Sequence, residues 1–198
     1  MAIIGVSKPY YAIYSDGDGV PTYSAGGLIG KLTEVDIEIE STEDNNLFAD
    51  NAIAESERLF SSGTLTLTPD DLSQEVSKAI LGVKEQALED ISGVTDTDVK
   101  ELIFDDDQNT PNLGVGFIIK KQVRGALRWR ALVLTKVMFS IPSDSATTQG
   151  DTIEWQTPEL SATIQRDDSA KHKWKREATF STEPQAEAYI KSILGITV

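Results

Sequence analysis

The stretch Leu113–Ile141, LGVGFIIKKQVRGALRWRALVLTKVMFSI, constrains the fold more than any other part of the chain. Val115, Phe117 and Ile119 recur at every second position, as do Leu127, Trp129 and Ala131, and then Val137, Phe139 and Ile141. A repeat of two residues marks half-buried strands, because successive side chains point to opposite faces. Arg124-Gly125 sits between two such runs and reads as a hairpin turn, since glycine takes positive φ without a steric penalty. The expectation is three antiparallel strands, or two long ones with a bend near Thr135, whose apolar face is the floor of the core.

The rest of the chain must cover that floor. At 198 residues, 39% hydrophobic and 25% charged, it suits one domain with a sizeable core. It has no cysteine, which excludes disulfides, zinc–thiolate sites and thiol catalysis. No apolar run approaches the ~18 residues of a membrane span, and the first residues show no charged-then-apolar leader pattern. The formal net charge is −14 and is unevenly placed. Residues 1–110 carry 6 basic and 23 acidic side chains, net −17, whereas residues 111–198 carry 12 basic and 9 acidic, net +3. A chain divided in this way can associate head to tail through complementary potentials. It is not expected to grip nucleic acid, because phosphate contacts need Lys and Arg.

In chain order, residues 7–14 read as a short strand with Pro9 near its start, followed by a turn over Ser15–Gly19. Asp16 and Asp18 do not complete a calcium loop. Val20 stands where a third oxygen ligand is needed, and Gly27 where the closing Glu belongs. Residues 33–40 alternate cleanly, with Val35, Ile37 and Ile39 inward and Glu34, Asp36, Glu38 and Glu40 outward. Paired carboxylates can perform glycoside hydrolysis, but this spacing is that of a solvated strand face. Leu47–Phe60 lacks a core stripe and suits a strand leading into an extended arm. Gly63–Thr68 is a strand with Leu65 and Leu67 on one side.

A helix is expected next, capped by Thr68 with Pro69 in its first position. Its stripe is Leu72, Val76, Ala79 and Ile80, and Gly82 ends it. The pattern weakens from Lys84 to Asp107, where the run Asp105–Asp107 again fails as a calcium loop, with Gly116 at the closing position. Pro142–Gly150 is polar and loop-like. Asp151–Gln165 alternates through Ile153 and Trp155, then Leu160, Ala162 and Ile164, with Pro158 marking a bulge or edge. Lys171–Arg176 interleaves basic residues with Trp174. It reads as a strand with outward lysines, not as a single-strand nucleic-acid platform. Thr182 caps a C-terminal helix striped by Ala186, Tyr189, Ile190, Ile193 and Leu194 and stopped by Gly195. The fold class is therefore α+β, mostly antiparallel β: a sandwich or barrel with a flanking amphipathic helix and a C-terminal helix. The sequence offers no glycine-rich phosphate loop, metal-ligand cluster or nucleophile–base pair, so no catalytic, cofactor-binding or metal-binding residue is assigned.

Four strings carry a family resemblance: KPYYA (Lys8–Ala12), EDNNLFADNAIAES (Glu43–Ser56), DDLSQEVSKAILG (Asp70–Gly82) and TTQGDTIEWQTPELSATIQRDD (Thr147–Asp168). They resemble the major tail proteins of long-tailed, non-contractile phages and prophages of Gram-positive bacteria, and the likeness runs over essentially the whole chain. It implies one tail-tube domain over residues 1–198, of the β-sandwich type, with no enzymatic activity and no cofactor. It implies a virion protein made in the bacterial host cytoplasm, whose hexameric rings stack into a hollow tube. DNA passes through the lumen at ejection without specific binding. Implied partners are other copies of the chain, the tape-measure protein, and the tail terminator and distal tail proteins. No membrane is involved.

Within that reading, Glu34, Asp36, Glu38 and Glu40 are the candidate acidic row facing the channel, where they would repel phosphate. An inter-ring arm is expected over residues 41–62, carried by Glu43, Asp44, Asn45, Asn46, Asp50, Asn51 and Glu55. A polar ring-contact loop is expected at 142–151. The alternative is a β-sandwich carbohydrate- or surface-binding module, which would show an aromatic platform, whereas Trp129, Trp155 and Trp174 all read as strand residues. A carboxylate-based hydrolase would need two acids converging in a cleft.

Overall fold

A computed structural model describes residues 2–42, 59–88, 91, 93–96, 98–143, 146, 148 and 156–197, together with the backbone of 45–49 and 52–57. In chain order its elements are β1 (Ala2–Gly17), β2 (Val20–Leu28), β3 (Leu32–Ser41), β4 (Asn45–Ala49), β5 (Ala52–Glu57) and β6 (Phe60–Pro69), then α1 (Gln74–Leu81). There follow β7 (Lys84–Ala87), β8 (Lys100–Ile103), β9 (Leu113–Val123), β10 (Ala126–Phe139), β11 (Leu160–Gln165), β12 (Lys175–Phe180) and α2 (Glu183–Ile193). The fold is α+β and mostly antiparallel, as the alternation requires. One sheet runs β2-β1-β9-β10-β11-β6-β3, with β12 also paired to β10; β4–β5 and β7–β8 are separate two-stranded hairpins.

The stretch Leu113–Phe139 forms two long strands, β9 and β10, joined by Arg124 (φ 50°) and Gly125 (φ 83°). Two positive φ values give the turn whose twist matches the flanking strands. The bend near Thr135 is a bulge: the β9–β10 register shifts between Leu134 and Val137. Below it β10 pairs with β12, from Trp129 to Leu134, and above it with β11, from Lys136 to Phe139. The extra residue also changes the phase of the alternation. Leu132 and Leu134 therefore share a core with Val137 and Phe139. The curling sheet brings β3 close to β1 and encloses that core in a sandwich-like arrangement.

The expected single apolar floor is instead buried on both faces. Val115, Phe117 and Ile119 join the main cluster with Leu65, Leu67, Ile80, Leu160 and Ile164. Ile118, Ala131 and Val133 join a second cluster under α2, built with Tyr10, Ala12, Ala186, Ile190 and Leu194. The glycines of β9 make room for the helix. A Cβ on Gly116 would lie 2.6 Å from Ile190 Cγ2, and one on Gly114 2.7 Å from Leu194 Cδ2. Ile190 and Leu194 are fully buried, which stabilises the docked helix by about 1.5–3 kcal/mol each.

Four local expectations are corrected. β1 is 16 residues long, not short, and Pro9 lies within it. The missing N–H falls at a bulge where the β1–β9 register shifts between Ser7 and Tyr10 and Lys8 has φ 55°. β2 had no counterpart in the sequence reading, because Pro21, Gly26 and Gly27 mask its strand pattern. The first helix begins at Gln74 with Ser73 as its cap, Oγ accepting from Val76 N at 3.3 Å. Thr68 and Pro69 instead finish β6, opposite Glu34 and Leu32, because the ladder with β3 claims them. Finally, Lys171 lies in a turn closed by His172 N donating to Ser169 O, with His172 at φ 47°, and His172–Trp174 form a loop, so Trp174 precedes its strand. The Asp167 carboxylate accepts from Ser169 N and Oγ, and Asp167 N donates to Lys173 O; together they fold the segment back on itself.

Candidate functional site

Among the described residues β3 ends the sheet, with β6 as its one neighbour. Val35 and Ile37 pack against the main core, while Glu34, Asp36, Glu38 and Glu40 are exposed. Register places each carboxylate beside a hydroxyl of β6: Glu34 opposite Thr68, Asp36 opposite Thr66, Glu38 opposite Thr64 and Glu40 opposite Ser62. Ser62 Oγ donates to Glu40 Oε2 at 2.7 Å. The same outer face continues into β11, where Ser161 lies opposite Thr66 and Thr163 opposite Thr64. The result is a hydroxyl-rich wall ending in an acidic row. Directly opposed or alternate like charges tolerate each other only where water screens them, so this face belongs against solvent or a water-filled space.

The expected arm is partly a hairpin. β3 and β6 continue their ladder to Ser41 and Phe60, Thr42 N donates to Leu59 O, and among the described residues β4 and β5 pair with each other alone. Asn45 and Asn46 lie in β4 and Glu55 in β5. Glu43, Asp44, Asp50 and Asn51 lie outside the described residues. The boundary at 62 is too wide: Phe60–Ser62 belong to β6, and Phe60 stacks on Trp174 at 4.5 Å and 6°. Of the 142–151 loop only Pro142, Ser143, Ala146 and Thr148 are described. The acidic row and the hairpin are neighbours in the chain: β3 ends at Ser41 and β4 begins at Asn45.

Two polar clasps went unread in the sequence, because their members lie far apart in the chain. In the first, Glu187 of α2 accepts from Lys8 Nζ and from Tyr10 OH at 2.6 Å, and pairs with Lys191 at 2.9 Å. The bond from Lys8, then that from Tyr10, holds the Glu187 carboxyl down at about 2. In the second, Asp168 accepts from Tyr14 OH at 2.6 Å and from Lys136 Nζ at 2.7 Å. The Lys136 bond, then the Tyr14 bond, lowers the Asp168 carboxyl, while burial and then Asp168 push the Tyr14 phenol up to about 12. These contacts seat α2 and the 166–174 segment on the sheet.

A cleft of about 360 Å³ lies beside the second clasp, lined by Tyr23, Thr135, Asp167, Ser169, Lys173 and Arg176 among others. Asp167 is the one carboxylate lining it among the described residues, and it is spent on Ser169. The paired acids of a carboxylate hydrolase therefore do not converge there. Trp129 is half-buried against the cluster under α2, and Trp174 is half-buried and stacks on Phe60; Trp155 lies outside the described residues. No protein-family model and no curated protein matches the chain.

Proposed function

We propose that this chain is a structural virion protein, a tail-tube subunit that works by polymerising. In this reading hexameric rings stack into the hollow tube through which DNA leaves at ejection. The observation that carries it is β3: among the described residues it is an edge strand with four solvent-facing carboxylates, followed in the chain by a hairpin that pairs with no other strand. An edge strand presents unpaired N–H and C=O groups and joins readily to another chain. Among the described residues β2 and β12 also have one neighbour each, so a ring can close by sheet continuation on both sides of a subunit. An acidic, hydroxyl-rich wall suits a channel that must pass DNA without binding it. The whole-chain resemblance to major tail proteins supports the same reading. It also carries the expected partners: the tape-measure protein within, and the terminator and distal tail proteins at the ends.

Electron microscopy of the concentrated, purified protein tests the proposal. Six-fold rings and tubes are expected, and particles that stay single at every concentration refute it. Replacing residues 45–57 by a short glycine–serine turn separates the hairpin's role from folding. The expected result is a normally folded subunit that no longer makes tubes; normal tubes from this variant would remove the hairpin from the account.

A further inference from the structure

Two surfaces outside the acidic row fit each other in charge and in apolar character, and they sit at opposite ends of one strand. The first is the β7–β8 hairpin with its connections, residues 84–107. It carries nine acidic and two basic side chains, net −7. Lys84 pairs with Asp105 at 2.7 Å and Lys100 with Glu85 at 2.9 Å, so both cations are consumed internally. Asp96, Asp98 and Asp106 remain exposed, beside the exposed Ile91, Val94, Val99 and Phe104. The hairpin is rooted near the start of β9: Gln108 Nε2 donates to Leu81 O, and Tyr14 N donates to Asn112 O.

The second is the blade at the far end of β9, formed by residues 118–130 with the start of β1. It carries Lys120, Lys121, Arg124, Arg128 and Arg130 and no acidic residue. Lys121 and Arg128 are direct cross-strand neighbours, and Ile3 lies opposite Lys121. Among the described residues none of the five cations lies within ion-pairing distance of a carboxylate. Arg130 Nε is buried without a hydrogen-bond partner. Ile3, Ile4 and Leu127 are exposed around this cationic set.

At about 3.3 Å per residue, Leu113 and Val123 are roughly 33 Å apart along β9. The root of the acidic hairpin and the basic blade therefore lie at opposite ends of β9 within one copy. We infer that the β7–β8 hairpin of one copy docks on the basic blade of the next, a heterologous contact that repeats along the direction of β9. It deepens the tube reading by naming a subunit interface, and it rests on that reading only for the closed symmetry of the assembly. A heterologous contact propagates into rings or filaments, according to the rotation between neighbours. The exposed aliphatic residues and Phe104 form its apolar centre, and the charges set its direction.

Charge reversal tests the contact, with wild-type protein assayed alongside. One variant carries Asp96→Lys, Asp98→Lys and Asp106→Lys; a second carries Lys121→Glu, Arg124→Glu and Arg128→Glu. Each alone should weaken self-association by roughly a hundredfold or more, read by sedimentation velocity and microscopy. Mixed in equal amounts they should assemble again, because each then offers the partner that the other lacks. Circular dichroism checks that both fold. A Phe104→Ser, Leu127→Ser variant, with charges untouched, should also weaken association. Normal tubes from either reversed variant alone would overturn this interface and leave the tube reading standing. Wild-type open filaments that both reversals abolish would keep the interface and sink the tube. Wild-type protein that never self-associates would overturn both.

Discussion

β9 and β3 obey the same two-residue alternation and end in opposite environments. β9 is central, and its intervening positions are glycines and Ile118, so both faces are buried under separate clusters. β3 is an edge strand, and its intervening positions are carboxylates, so one face packs and the other meets water. Period alone thus places a strand in a sheet. The chemistry of the second set of positions decides whether the strand becomes core or surface.

The largest test of that contrast is Phe117→Ala on β9. The side chain is fully buried in the main cluster, so the expected loss is about 3–5 kcal/mol in chemical denaturation. A loss below ~1 kcal/mol would mean that β9 is not the centre of the core. Next comes Gly116→Ala, whose new methyl would press on Ile190. Overpacking predicts about 1–3 kcal/mol of destabilisation and weaker hydrogen-exchange protection in α2. Unchanged protection would show that the helix does not need the glycine groove.

Glu187→Gln sharpens the same point through pH. The folded carboxyl titrates at about 2, below its ordinary value of 4.5. The clasp therefore contributes stability fully above about 4.5 and loses it as pH falls toward 2. With Glu187 partly exposed, the variant should cost about 1–2 kcal/mol near neutral pH. It should also flatten the acid limb of the stability profile, and an unchanged limb would remove Glu187 from the account. The smallest stability effect belongs to β3. Replacing Glu34, Glu38 and Glu40 by Gln and Asp36 by Asn should shift stability by no more than about 0.5 kcal/mol per site. In the proposed tube the same change should nonetheless lower DNA-delivery efficiency, because a neutral wall no longer repels phosphate.

How far the sequence reveals these regions follows from the same contrast. The β9–β10 turn, the β3 alternation, Leu65 and Leu67, and the α2 stripe are all local signals that single residues announce. The bulge phase at Thr135, the second core under α2 and the two clasps depend on register or on residues more than 100 positions apart, which periodicity does not encode. β2 escapes notice because proline and glycine hide a strand whose Gly26 sits tightly under Ile196. Thr68 makes a plausible helix cap until the β3–β6 ladder claims it. At the acidic edge, the row itself is legible from Glu34 to Glu40. Its hydroxyl companions on β6 and β11 emerge only once the strands are in register.

A density map of the assembled polymer tests the central claim most directly, because it locates the β3 carboxylates with respect to the channel. The account expects Glu34, Asp36, Glu38 and Glu40 to line the inner wall, with β3 continuing into a neighbouring subunit's sheet. A map that puts all four on the outer wall, or leaves β3 unpaired at the subunit boundary, would contradict it.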